Sequence, residues 1–370
     1  MSTMRAARLH EVGGKFRIDE VPCPEPGDDD VIIQVESANL VQNLRNVIST
    51  YPSEKPFLPL PELPAIFGMD TAGTITAVGS RAHNLKPGDR VYLNPGRYSR
   101  DSWATRTGDP LSDPAYTFQG YFGFGPDSVE IHRHYPHGGL CEYVKGPADG
   151  VVVIPDNIST DQASRFGYLG TSYGALRKGG VRGGSSVLIL GVTGTLGLGA
   201  VLLSLAMGAT TILGTARNRE LLERVRQIAP ERVAVHAADD GDLGDWVRSQ
   251  TEGRGADVVI DALNHTAPAE VSMSGIWALR RGGRFVSIGA MPEVLPIPIY
   301  RLMTLQIQIL TSLWFTVEEG EDMSRMAAAG TLDLSHFDVQ HFSLQEANEA
   351  IAAAEDRAGG FTSIIVKPQS

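Results

Sequence analysis

Cysteine is scarce in this chain: 2 of 370 residues, Cys23 and Cys141. Two thiols cannot build a disulfide framework and neither sits in a C-x-x-C pair, so they read as small buried hydrophobes in a reducing, cytoplasmic setting. Positive charge is also short, because 32 Lys and Arg face 43 Asp and Glu, a net charge of −11. Binding a phosphate backbone needs a basic face, and no basic run of five or more residues supplies one, which excludes nucleic acid as the main partner. No apolar run is long enough to cross a bilayer, and the N-terminal MSTMRAARLHEVGGKF lacks the apolar segment and cleavage site of a signal peptide. No membrane association is expected. Repeats and low-complexity linkers are missing too, and a chain of this length predicts two packed domains with a cleft between them where a small ligand binds.

What is present changes character along the chain. Up to about Asn157 the sequence reads as short strands broken by Gly and Pro, among them VIIQVESA, TAGTITAVG, DRVYL and CEYVKG, which predicts a small barrel-like β domain. From about Ser164 apolar runs alternate with helix-length segments: SVLILG, TLGLGAVLLSLAMG, TTILG, RNRELLERVRQIA, ADVVIDAL, GRFVSIG. That alternation predicts a parallel sheet covered on both faces, with TLGLGAVLLSLAMG buried because it is apolar nearly all round. After about Ile309 come two more helical segments and a strand, TSIIVKP, which extend the second domain or return to complete the first.

The strand SVLIL runs straight into Gly191, Val192, Thr193, Gly194, Thr195, Leu196 and Gly197 and then into the apolar helix. Glycines there permit a tight turn, let backbone N–H groups approach a pyrophosphate and let the helix pack closely, while the helix N-terminus faces the phosphate with partial positive charge. The next strand ends in Thr215-Ala216-Arg217-Asn218, followed by Arg219. An acid at that point bonds the ribose hydroxyl of NAD; here the acid is missing and Arg217 is present, which favours NADPH over NADH.

In this context the sequence resembles the medium-chain dehydrogenase/reductase superfamily, which includes zinc alcohol dehydrogenases and zinc-free quinone reductases. The likeness spans VPCPEPGDDDVIIQVESANL, FGMDTAGTITAVGSRAHNLKPGDRV, GGLCEYVKGPADGVVVIPDNIS, the Gly-rich turn, GADVVIDAL, LRRGGRFVSIG and SLQEANEAI. The resemblance implies an α/β Rossmann domain, residues 161–309, inserted into a GroES-like β-barrel catalytic domain formed by residues 1–160 and 310–370. It also implies cofactor contacts at Thr171 and Gly289, and homodimers through the Rossmann sheet edge.

Zinc members of the family ligate a catalytic metal through Cys, His and a second Cys, positions that fall here on Leu40, Met69 and about Gly167. Leucine and glycine cannot ligate zinc and a lone thioether is a soft, poor ligand, so no catalytic zinc is expected. The same members carry a lobe with four cysteines spaced C-x2-C-x2-C-x7-C around a structural zinc. The spacing survives at Ser99, Ser102, Thr105 and Asp113 without a thiolate. That lobe is expected to be held by hydrogen bonds and by Tyr98, Trp103, Tyr116, Phe118, Tyr121 and Phe122. His132, His134 and His137 follow; alternation along a strand would put the first two on one face, but they read as surface or cleft-rim residues rather than metal ligands.

Hydride transfer without a metal requires hydrogen-bond donors for the oxygen that becomes negative, and a proton source. The candidates are Gln42, where alcohol dehydrogenases carry the Ser or Thr of their proton relay, Asn43, and Tyr51, which matches a Tyr-Pro of the zinc-free reductases. Asp70 keeps a carboxylate where the family has Glu, with a structural acceptor as its simpler role. The expected function is zinc-independent, NADPH-dependent reduction of a small carbonyl, enone or quinone. The alternatives are a zinc-free NADP-dependent alcohol dehydrogenase and a protein that binds the nucleotide without catalysis.

Overall fold

Burial along Asp30–Asn39 shows why this strand is central to the N-terminal sheet: only Gln34 and Glu36 are half covered, and every other residue of the strand is buried. In the computed structural model, which describes residues 2–290 and 293–370, this strand pairs antiparallel with Asp70–Val78, which continues through Arg90–Leu93 to Val151–Val153. Its other edge is shared by Tyr143–Pro147 along the first half and Thr362–Lys367 at the end. Thr362–Lys367 in turn pairs parallel with Asp338–Ser343, so the C-terminal segment completes the first sheet. A smaller sheet of Phe16–Pro22, Thr3–Leu9 and Ala65–Ile66 lies beside it.

The inserted domain is a six-stranded sheet, parallel throughout, in the order Val233–Ala237, Thr211–Ala216, Ser186–Leu190, Ala256–Asp261, Leu279–Ser287, Gln308–Thr311. In chain order that is 3-2-1-4-5-6, the doubly wound arrangement whose crevice opens between the first and fourth strands. The helix Thr195–Ala206 buries Gly197 through Ser204 against this sheet, as its all-round apolar sequence requires. Gln308–Thr311 runs across the 309/310 boundary, and the chain leaves the sheet only after it.

One local expectation fails. EIHRHY does not alternate as a strand; Ser128–His134 is a helix. His132 is 3% exposed and His134 is exposed, so the two do not share a face and His132 is not a surface residue. Burial pushes the His132 imidazole down to about 4.

Candidate active site

The Gly-rich turn is shaped by three glycines with different tasks. Gly191 ends its strand at φ +74°, a left-handed conformation that suits glycine, and the N–H groups of Gly191 and Val192 donate to the Thr215 carbonyl at 3.0 and 3.2 Å. A Cβ on Gly197 would stand 2.3 Å from the Gly191 carbonyl oxygen, so this glycine sets how closely the helix packs. Gly194 caps the helix, and a Cβ there would meet nothing nearer than 3.3 Å. Its missing side chain therefore leaves the helix amides approachable, as an anion at a helix N-terminus requires. Thr193 accepts from the Gly360 N–H at 2.8 Å, and Leu196 accepts from Ser172 Oγ at 2.7 Å.

Thr215 is buried at the end of the second strand, and Arg217 beyond it is exposed with no hydrogen bond or ion pair to any described residue. Arg219 differs: its Nη2 meets Asp239 at 2.7 Å and Asp240 at 2.6 Å. Of the two arginines it is Arg217 whose charge lacks a partner. Gly289 follows the fifth strand, and a Cβ there would be 2.3 Å from the Leu263 carbonyl; Gly191 approaches the Ala262 carbonyl in the same way. Both glycines thus lie at the carboxyl ends of the two strands that flank Ala256–Asp261, the edge of the sheet where doubly wound folds bind ligands. Thr171, on the helix Phe166–Gly179, donates its hydroxyl to the Gly167 carbonyl at 2.9 Å.

Arg357 is a member of this group that sequence reading missed. It is nearly buried, and its Nη2 donates to Thr195 Oγ1 at 3.0 Å and to Tyr168 Oη at 3.2 Å while Nη1 holds the Thr362 carbonyl at 3.0 Å. A guanidinium is thereby fixed at the first residue of the Gly-rich helix by a segment 162 residues away in the chain. Only the following Gly359-Gly360, which lies across the turn, hinted at it.

On the facing barrel domain, Asn43 Nδ2 donates to Tyr51 Oη at 3.0 Å, and Asn46 Nδ2 donates to Asn43 Oδ1 at 3.0 Å. The Gln42 N–H donates to Tyr168 Oη at 3.1 Å. Asn43 and Tyr51 are therefore brought together, and Gln42 is tied to the inner helix rather than to them. The Tyr51 ring is buried beside Phe122, at 5.6 Å, with Lys55 Nζ 4.4 Å from its centroid. Tyr121 adjoins the same pair: burial first, then the neighbouring Tyr168 and Tyr51, hold its phenol well above the usual range.

The positions where the resemblance places metal ligands hold other side chains. Leu40 and Met69 are buried apolar side chains, and a Cβ on Gly167 would lie 1.8 Å from Asp70 Oδ1. The Asp70 carboxyl occupies the space a cysteine at 167 would need. It accepts from Tyr92 Oη at 2.9 Å and is 1% exposed. Burial pushes its pKa up to about 7, against the Tyr92 hydrogen bond and the Arg165 and Arg357 charges that pull it down. One carboxylate with a leucine and a thioether does not fit a zinc site.

The lobe shows a parallel arrangement. Asp113 accepts from the Ser99 N–H at 3.0 Å and the Ala115 N–H at 2.7 Å; Ser102 caps the helix Trp103–Arg106 and bonds Thr105 Oγ1 at 3.1 Å; Thr105 Oγ1 reaches the Ser99 carbonyl at 2.8 Å. All four positions thus belong to one hydrogen-bond network. Phe118 anchors the lobe against Trp314 at 4.6 Å and Phe124 at 5.0 Å. Trp103 takes no part, being 78% exposed, contrary to expectation. A cavity of about 520 Å³ opens beside the lobe, lined by Arg97, Tyr98, Arg100, Tyr135 and Lys145 among others, and holds none of the expected site residues. Among the described residues no cluster of three or more His, Cys, Asp or Glu could hold a metal.

Two family models match this architecture piece by piece. Residues 27–156 match the alcohol dehydrogenase GroES-like domain and residues 195–329 the zinc-binding dehydrogenase domain. The chain belongs to the medium-chain dehydrogenase/reductase superfamily. Like its relatives in this superfamily, it is an oxidoreductase. It is 25% identical over 375 residues to sorbitol dehydrogenase of Bacillus subtilis (strain 168), covering 99% of this chain and 97% of that one. It is 29% identical to an alcohol dehydrogenase of Geobacillus stearothermophilus, over 88% of this chain and 90% of that one. Among solved structures, a protein of Sinorhizobium meliloti 1021 described as a zinc-binding dehydrogenase and bound to NADP superposes with a TM-score of 0.82 at 23% identity, covering 100% of both chains.

Proposed function

We propose that this superfamily member is an NADPH-dependent reductase that works without zinc on a small carbonyl, enone or quinone. The observation that carries the reading is the Asp70 carboxyl in the side-chain space of Gly167, with Leu40 and Met69 completing a set that cannot ligate the ion. Arg217, exposed and unpartnered where an acid would select NAD, supports the 2′-phosphate form, and the NADP bound to the Sinorhizobium protein agrees.

NADPH, when bound, supplies the hydride. The chain's own residues do the rest. The turn 191–197 and Arg357 would hold the cofactor's diphosphate with N–H groups, and Thr171 and Gly289 would hold its nicotinamide end. As negative charge grows on the substrate oxygen, Tyr51 is the donor proposed to answer it. Its oxygen already accepts from Asn43, so the phenolic O–H is left to donate. Asn43 thus orients Tyr51, and Gln42 lines the same segment. Asp70, almost wholly buried, acts through Tyr92 rather than by touching substrate.

The likeness to sorbitol and alcohol dehydrogenases favours a second reading, oxidation of alcohols with NADP by the same side chains. Assays of Tyr51→Phe against wild type test the first: turnover of NADPH with enones, quinones and carbonyls falls about 100-fold while NADPH affinity is kept. Undiminished turnover would make Tyr51 a packing residue. Faster NADP reduction by alcohols than NADPH oxidation by any of those acceptors would favour the second reading.

A second copy of this chain fits the open edge of Gln308–Thr311, next to which Ile299, Tyr300 and Met303 are 72%, 77% and 57% exposed. Light scattering should give the mass of a dimer, and a monomer at micromolar concentration would refute that assembly.

A further inference from the structure

Tyr168 is the neighbour of Gly167 on the helix Phe166–Gly179, and it figures in none of the roles above. Four residues on, Ser172 faces the first turn of the Gly-rich helix and donates to the Leu196 carbonyl, so this face of the helix lies against the cofactor turn. A phenol has two acceptor lone pairs and one donor hydrogen. Both lone pairs of Tyr168 are engaged, one by the Gln42 N–H at 3.1 Å and one by Arg357 Nη2 at 3.2 Å. The hydroxyl hydrogen has no acceptor among the described residues, and the side chain is half-buried, within reach of a ligand.

The surroundings are rich in donors, although the Asp70 carboxyl is near enough for the Arg165 and Arg357 charges to pull its pKa down. Arg357 Nη2 divides its two hydrogens between Tyr168 and Thr195 Oγ1, and its Nε, on a side chain 9% exposed, has no partner. The Arg165 guanidinium lies 5.9 Å from the Tyr168 ring centroid and is held only by the neutral oxygens of Ser363, Thr362 and Gly360. Unpaired donors gather here, none of these side chains has a carboxylate in ion-pair contact, and the ligand they fit is an oxyanion.

We infer that Tyr168 donates its O–H to the diphosphate of the bound cofactor and, through the Gln42 N–H on the same oxygen, ties cofactor binding to the position of the substrate segment. This rests on the nicotinamide-cofactor reading. It makes Tyr168 a cofactor-contacting residue that is also a positioning residue for Gln42 and Asn43. The coupling is geometric: removing the oxygen frees both Arg357 and the Gln42 backbone at once.

The test is Tyr168→Phe, which keeps the ring. Isothermal titration should show NADPH binding weakened about 10-fold or more, the scale of one hydrogen bond to a charged group. Adenosine 2′-monophosphate, which carries the phosphate assigned to Arg217 and no diphosphate, should bind as it does to wild type. KM for the carbonyl substrate should rise as well. Should the variant fail to fold, the wild-type chain gives an independent readout. Hydrogen exchange at the Gln42 amide should slow on adding NADPH but not on adding adenosine 2′-monophosphate. Unchanged NADPH affinity in a folded variant, equal weakening of both ligands, or Gln42 exchange indifferent to NADPH would each overturn the assignment. Failure of the wild-type chain to bind NADPH at all would instead remove the cofactor reading beneath it.

Discussion

Gly167→Ala puts the pocket around Asp70 to a quantitative trial. Gly167 lies near the start of a helix, where alanine is favoured over glycine by about 1 kcal/mol, so helix propensity alone predicts stabilisation. The structure predicts the opposite sign. A methyl group there would stand 1.8 Å from Asp70 Oδ1 and 2.6 Å from its Cγ, with no room to share. Displacing that carboxyl strips a buried acid of the Tyr92 hydrogen bond, at about 1–3 kcal/mol, and adds overpacking strain of about 1–3 kcal/mol. Set against the helix gain, the net loss is about 1–5 kcal/mol. Urea denaturation should show it as a lower midpoint. In an Asp70→Ala background the obstruction is gone, and the same substitution should be neutral or stabilising by up to about 1 kcal/mol, a coupling expected of residues in contact. A Gly167→Ala chain as stable as wild type would mean that the carboxyl does not fill this space.

The Asp70 carboxyl is pushed up to about 7 in the folded chain from 3.8. Between those values the folded chain holds a proton that the unfolded chain has released, so stability falls as pH rises from about 4 to 7, by up to about 4 kcal/mol for the full shift. Asp70→Asn should flatten that slope in urea midpoints measured at pH 5 and 7.5, and an unaltered slope would assign it elsewhere. Replacing Arg217 with Ala should weaken NADPH about 10-fold and leave NADH unchanged, since only the former offers a phosphate to the exposed guanidinium. Equal losses would remove its role.

Much of the fold is legible in the residues because periodicity and punctuation agree. The apolar run VIIQV bounded by turn residues reads as a largely buried strand, and SVLIL followed by spaced glycines and an apolar helix has few other ways to fold. EIHRHY misled because a seven-residue helix and a short strand are poorly separated by so brief a pattern. Of the site, the turn and Arg217 were visible because they are consecutive in sequence. Arg357 and Tyr168 were not, since the roles proposed for them rest on contacts with Thr195 and Gln42 that only the tertiary structure creates. That Leu40 and Met69 are poor metal ligands is legible in the residues themselves. That Asp70 occupies the space beside Gly167 is not, because the two residues are 97 positions apart and nothing local marks them as neighbours. Trp103 shows the converse: its place among the lobe aromatics predicts an anchor, whereas it is exposed and Phe118 packs on Trp314 instead.

The most direct measurement is NADPH oxidation with a panel of carbonyls, enones and quinones, run on protein whose zinc content is determined in the same preparation and again after dialysis against a chelator. Turnover should persist unchanged with far less than one zinc per chain. Stoichiometric zinc, with activity lost on its removal and restored on its return, would contradict a reductase that relies on Tyr51 and its hydrogen-bonded neighbours alone.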